Sequence, residues 1–218
     1  MAVQLLYIAD PMCSWCYGFG PQLSQLLQSM PEARLDILCG GLRPDETEPV
    51  SDDMRKMILG HWDRVAEVSG LPFDREAMSR PGWVYCTEPA SRAMVSVKLL
   101  AEHLPGEKRL HVFHALQSAF YRDGLDVTNE QVLAEVLTAA LNAVDGADSY
   151  DTASLLETLQ SADAHQCTRE EFALCQQWGV RSFPALLMVH DNNLHMLSSG
   201  YATTEQLQSQ ITRVLQAG

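Results

Sequence analysis

The chain has 218 residues, 46% of them hydrophobic, and a formal net charge of −13. That length and apolar content can bury a sizeable core, in one large domain or in one domain carrying a smaller one inserted. The acidic balance lacks the basic footprint of nucleic-acid binding and is repelled by anionic membrane surfaces; no run approaches the ~18 apolar residues of a membrane span, and ordinary glycine, proline and charge content argues against wholesale disorder.

The opening MAVQLLYIAD has no basic segment ahead of its short apolar run, which stops at Asp10-Pro11. It therefore fails as a signal peptide, and a cytosolic setting is expected, where thiols stay reduced. Six cysteines in that compartment do not read as a disulfide framework. Residues Val3 to Ala9 are almost unbroken apolar with β-branched and aromatic members, as in a strand buried on both faces. Cys13-Ser14-Trp15-Cys16 follows at once, and Leu23, Leu26, Leu27 and Met30 then recur at the spacing of a core-facing helix. Leu35 to Cys39 is a second short strand ending at Gly40-Gly41. Two parallel strands joined by a helix form a βαβ unit, with the cysteine pair at its first strand-to-helix turn.

From about Val50 to Leu159 the pattern is helical, without a convincing strand. The acidic run DETEPVSDD reads as a solvated loop. Pro89 to His103 places Ala93, Val97, Leu100 and Ala101 on one face, and LHVFHALQSAFYRDG is a second helix ending near Gly124. A third opens with a capping box at Thr128 and Gln131 and continues through Leu141. AVDGADSYDT is a turn-rich connection, and Ala153 to Gln160 another short helix. REEFALCQQWG reads as a helix stopped at Gly179. The apolar run Ala185 to Val189, a turn at Asp191-Asn192-Asn193 and a strand at Leu194 to Ser198 signal a β-hairpin. The last helix is capped by Thr203 and Gln206 and is expected to bury Leu207, Ile211, Val214 and Leu215. With the helical block removed, the order β-α-β, α-β-β-α is that of the α/β thioredoxin fold. The expected boundaries are 1–49 and 160–218 for that domain and 50–159 for an inserted all-helical subdomain.

A Cys-x-x-Cys after the first strand, a helical insertion, the stretch SAFYRDGLDVTNEQVL and a Gly-Val-x-x-x-Pro segment before the hairpin together resemble the DsbA-like branch of the thioredoxin superfamily, its cytosolic FrnE-type disulfide isomerases most of all. The likeness spans Val3 to about Leu215. Kappa-class glutathione transferases and hydroxychromene-carboxylate isomerases share this architecture but generally carry serine at the first cysteine, so the presence of both Cys13 and Cys16 points to the redox members. Two departures from the family's pattern stand out. Phe183 stands before Pro184 where small or β-branched residues are common, and Ser14-Trp15 lies between the cysteines without the histidine of the strongly oxidising periplasmic members.

Thiol-disulfide exchange needs a thiolate, and a free cysteine is mostly protonated at neutral pH. A helix N-terminus offers unsatisfied N–H groups and the positive end of the dipole, which favour the thiolate. Cys13 is thus the expected nucleophile and Cys16, one turn later, the resolving thiol. Zinc would need about four ligands; Cys167 and Cys175, eight residues or ~12 Å apart on one helix, are poorly placed to share one ion. His111 and His114 lack an evident third ligand, so no metal is expected. The resemblance implies a cis Phe183-Pro184 peptide facing Cys13, where extended substrate pairs like an added strand. Trp15 is either a docking surface or packing, and Asp10, Ser14 and Tyr17 are candidates for tuning the pair. Cys39 and Cys86 read as buried small residues, while Cys167 and Cys175 would be auxiliary thiols only if their helix bends. The expected activity is disulfide reduction or isomerisation on thiol- or disulfide-containing proteins, with no bound cofactor and glutathione as an exchange partner. A glutathione-dependent transferase or isomerase of the kappa type, and a non-enzymatic chaperone-like module, are the alternatives.

Overall fold

A computed structural model describes residues 3–146 and 149–217. Met1 and Ala2 of the opening stretch, and residues 147 and 148 of the turn-rich connection, lie outside the described residues.

Four strands form one sheet in the order β2-β1-β3-β4. The strand β1 (Gln4–Ala9) leads through the cysteine motif into α1 (Ser14–Ser29), and β2 (Arg34–Cys39) returns parallel to β1. The hairpin β3 (Ala185–His190) and β4 (Asn193–Ser199) adds to the other side of β1, antiparallel throughout. Its turn has two residues rather than three: Asp191 and Asn192 take φ of 49° and 60°. Both residue types tolerate that left-handed backbone. Helix α8 (Thr204–Ala217) closes the chain. Its capping box forms as expected, Thr203 N–H donating to Gln206 Oε1 at 2.9 Å and Gln206 N–H to the Thr203 hydroxyl at 3.3 Å. Leu207 and Ile211 are buried, but Leu215 is 46% exposed, one turn beyond the edge of the core.

Between β2 and β3 lie α2 (Asp52–Ser69), a short 3-10 helix (Arg75–Met78), α3 (Glu88–Leu100), α4 (Gly106–Tyr121), α5 (Glu130–Asp145), α6 (Thr152–Gln160) and α7 (Ala162–Gln177). The acidic run is only partly loop. Ser51 caps α2, and Asp52 and Asp53 occupy its first turn, where carboxylates favour the helix dipole. Asn129, not Thr128, caps α5 by accepting from Gln131 and Val132 N–H. The Thr128 hydroxyl is held instead by Asp126 at 2.6 Å.

Strand alternation sorts β1 between two apolar layers. Leu5, Tyr7 and Ala9 face the larger core, which runs continuously through α1, α8 and the helices from α2 to α6. Leu6 and Ile8 face a smaller cluster closed by Cys175 of α7 and by Val180. The cysteine motif therefore starts at the C-terminal end of a strand buried on both faces, beside the helical block.

Candidate active site

Cys13 occupies the N-cap of α1 with extended backbone, its side chain making no cap hydrogen bond. The first N–H groups of the helix have no intrahelical acceptor. Cys13 retains 6% exposure and Cys16 none. Burial, with the Cys13 thiol beside it, drives the Cys16 thiol up. All six cysteines are free thiols in the structure.

Opposite lies the loop before β3. The Phe183-Pro184 peptide is cis, and the Cys13 thiol points at the Phe183 carbonyl oxygen, 3.6 Å away. Pro184 is buried and its carbonyl accepts from Gly200 N–H at 2.7 Å, which ties this loop to the end of β4. The Phe183 ring fills the space over Gly40: a Cβ built there would overlap the ring carbons. Any side chain at Gly40 would have to displace that ring.

Asp10 is fully buried directly below the motif. Its carboxylate accepts from Met12 N–H at 2.8 Å and from Leu42 N–H at 2.7 Å. Burial raises it to about 6 despite these donors. Asp10 thus fastens the cysteine loop to the 40–42 loop carrying the Phe183 contact. Ser14 is the first residue of α1 and is half-buried. Trp15 is half-buried too, its ring 6.1 Å from that of Tyr201. Tyr17 points away into the helical block, stacked on Tyr121 at 4.9 Å with its hydroxyl on the Pro72 carbonyl. It buttresses α1, and burial raises its phenol.

Two functional neighbours escape the sequence reading. Tyr7 of β1 donates to the Cys16 carbonyl oxygen at 3.2 Å, and Tyr85 donates to the Met12 carbonyl oxygen from the helical block. Strand parity carried a signal for Tyr7: it shares the larger core with Leu5 and Ala9, where its ring meets Phe19 of α1.

The remaining cysteines stand apart from the pair. Cys39 and Cys175 are buried against each other, Cys175 Sγ lying 3.8 Å from the Cys39 carbonyl oxygen, and burial raises both thiols. Cys86 is half-exposed rather than buried, since it lies on the irregular segment leading to α3, its thiol on the Pro44 carbonyl. Cys167 and Cys175 share α7, as the periodicity implies. Among the described residues no cluster of three or more His, Cys, Asp or Glu side chains is arranged to hold a metal. His114 lines a cavity of about 370 Å³ with Tyr17, Ser118 and Arg122, and neither cysteine of the motif lines it.

A thioredoxin-type sheet that ends its first strand in a dithiol, faced by a cis-proline loop, defines a thiol-disulfide oxidoreductase. Known structures agree. A crystal structure described as a "putative protein disulfide isomerase" from Nitrosomonas europaea superposes with a TM-score of 0.85 at 32% identity, over 100% of this chain and 99% of that one. The cytosolic disulfide reductase DsbM from Pseudomonas aeruginosa, also solved with GSH, shares the fold at a TM-score of 0.75 and 22% identity, over 99% of this chain and 100% of its own. A 2-hydroxychromene-2-carboxylate isomerase shares it at 0.63 and 14%, over 98% of this chain and 97% of its own. No protein-family model matches the chain, and no curated protein does. The chain belongs to the DsbA-like thioredoxin-fold oxidoreductases.

Proposed function

We propose that the protein reduces or isomerises disulfides through a dithiol/disulfide cycle at Cys13 and Cys16. The observation that carries this reading is the placement of the Cys13 sulfur: at the uncapped N-terminus of α1, one turn ahead of the buried Cys16 and aimed at the Phe183 carbonyl. Cys13 attacks a substrate disulfide, forming a mixed disulfide and releasing one substrate thiol. Cys16 then attacks the Cys13 sulfur, closing the protein disulfide and releasing the second thiol. Phe183, Pro184 and the half-buried Trp15 bound the surface where an extended substrate docks, its backbone pairing beside the cis-proline loop. Asp10 and Ser14 act on the position of the motif, and Tyr17 on the footing of its helix.

The cycle uses no bound cofactor, and its substrates are protein disulfides or mixed disulfides with glutathione. The GSH-bound structure of the similarly folded DsbM supports glutathione as an exchange partner, and that protein's cytosolic character supports a cytosolic setting here. The thioredoxin-fold domain comprises 1–49 and 160–218, with 50–159 as the inserted helical subdomain.

The test is reduction of insulin by dithiothreitol, which the protein should accelerate. Cys13→Ser should abolish the acceleration, and Cys16→Ser should accumulate mixed disulfides through Cys13. Full activity in Cys13→Ser refutes the assignment. A kappa-type glutathione transferase would instead conjugate a small electrophile and keep that activity in Cys16→Ser, and a chaperone would suppress aggregation with both cysteines replaced.

A further inference from the structure

Met12, the residue before the nucleophile, is fully buried and has its backbone held from two sides. The Asp10 carboxylate accepts from Met12 N–H at 2.8 Å, and the Tyr85 hydroxyl donates to the Met12 carbonyl oxygen. That carbonyl shares its planar peptide group with Cys13 N–H, which donates to the Asp10 carbonyl oxygen at 3.0 Å. The peptide is thus fastened at its oxygen by Tyr85 and at its N–H by the turn after β1. Its orientation sets the φ of Cys13, −90° at the N-cap of α1. Tyr85 is held in turn: its ring is stacked on Trp83 at 5.4 Å, meets Phe120 at 6.2 Å and carries the Arg43 guanidinium 5.9 Å from its centroid. Two residues on, Thr87 N–H donates to the Arg43 carbonyl at 3.0 Å, and Arg43 N–H donates to the Thr87 hydroxyl at 3.1 Å.

We propose that Tyr85 is a positioning residue for the first half of the cycle, its hydroxyl fixing the peptide ahead of Cys13 so that the sulfur is aimed at a disulfide docked beside the Phe183 carbonyl. The inference rests on the dithiol cycle proposed above. In that first step the Cys13 sulfur, its proton given up to solvent, forms a bond to one substrate sulfur. The substrate disulfide breaks, and the departing sulfur takes the electron pair and a proton from solvent. The nucleophile must approach aligned on the breaking bond, and small misplacements are costly. The two walls of the site have separate anchors. The Phe183-Pro184 loop is tied to Gly200, at the end of β4. Cys13 takes its direction from Met12, and so from Tyr85 on the segment leading to α3. Losing the Tyr85 hydroxyl leaves the buried Met12 carbonyl without that donor. The peptide then has nothing to hold its oxygen, and the aim of the sulfur drifts while the docking wall stays in place. Burial raises the Tyr85 phenol above its ordinary value, so the proton it donates is retained.

A Cys16→Ser, Cys86→Ser, Cys167→Ser parent isolates the first attack, since resolution is blocked and the half-exposed thiols are silenced. Mixed with excess of a quenched fluorescent peptide disulfide, it should release one peptide thiol at a rate that saturates with peptide concentration. Adding Tyr85→Phe keeps the ring and its stacking. The maximal rate should fall by about tenfold, the scale of one hydrogen bond to a buried carbonyl, with the half-saturating concentration within about twofold of the parent. Alkylation of Cys13 by iodoacetamide, which needs no docking, should keep the parent's rate across its pH profile. Phe120→Leu removes a ring that packs on Tyr85, costs folding stability and spares the hydroxyl; it should leave the maximal rate unchanged. An unchanged maximal rate in Tyr85→Phe, alkylation that slows in step with it, or the same loss in Phe120→Leu overturns the role of Tyr85 while the cycle stands. A parent that releases no peptide thiol overturns both.

Discussion

Replacing Asp10 by asparagine should flatten one specific component of the protein's pH-dependent stability. The Asp10 carboxylate is fully buried and rises from an ordinary 3.8 to about 6, chiefly because burial penalises its charge, against the lowering effect of its Leu42, Thr87 and Met12 donors. The folded chain therefore holds a proton at Asp10 over a range where the unfolded chain has released it. That contribution is fully present below about pH 4 and is lost as the pH rises through about 6. A gap of about two pH units, at about 1.4 kcal/mol each, corresponds to about 3 kcal/mol. The amide of Asp10→Asn cannot titrate. It turns an N–H₂ toward one of the N–H groups that the carboxylate accepts, an offset of about 1–3 kcal/mol that does not vary with pH. Urea unfolding of both proteins, followed by circular dichroism from about pH 4 to about pH 7, yields the difference in stability between them. The stability of the parent relative to the variant should fall by about 3 kcal/mol across that range. Other titrating groups are common to both proteins and cancel. A flat difference, or one that rises with pH, would refute the reasoning.

His114 should act with the opposite sign. Burial, with His111 nearby, lowers it from 6.5 to about 4, so its contribution is present above about 6.5 and lost as the pH falls through about 4; His114→Gln should lose less stability than the parent on acidification in the same urea series. Gly40→Ala drives a methyl into the Phe183 ring. It should cost about 2 kcal/mol in urea unfolding and also depress insulin reduction, because the displaced ring belongs to the residue whose carbonyl faces Cys13.

Much of this architecture was legible because local signals and packing agree. The apolar run through Ala9, the Leu23–Leu27 stripe and the Asp191-Asn192 turn each specify their element by a single local preference. The dithiol was legible as a spacing at a strand-to-helix junction. What escaped depends on contacts across the chain. Asp10 reads as a flanking acid, yet it is fully buried and bonded by Leu42 N–H, which lies 32 residues away. Tyr7 reads as one more apolar strand residue, and only the docking of α1 brings its hydroxyl to Cys16. Cys86 looks like any small core residue until the segment before α3 lifts it to the surface. Leu215 continues a regular helical stripe past the point where there is anything left to cover.

The larger core holds both sulfurs of the motif and, without a break, Leu133 and Leu155 of the helical block. That continuity links electrochemistry to folding. Oxidation and unfolding form a closed thermodynamic square, so any gap in folding stability between the dithiol and disulfide forms equals the gap in reduction potential between folded and unfolded chain. The conversion is about 30 mV for each 1.4 kcal/mol. A substitution far from Cys13 therefore leaves the potential alone when it weakens both forms equally and moves it when it favours one. Melting curves of the two redox forms, taken together, are in effect a voltmeter for this protein.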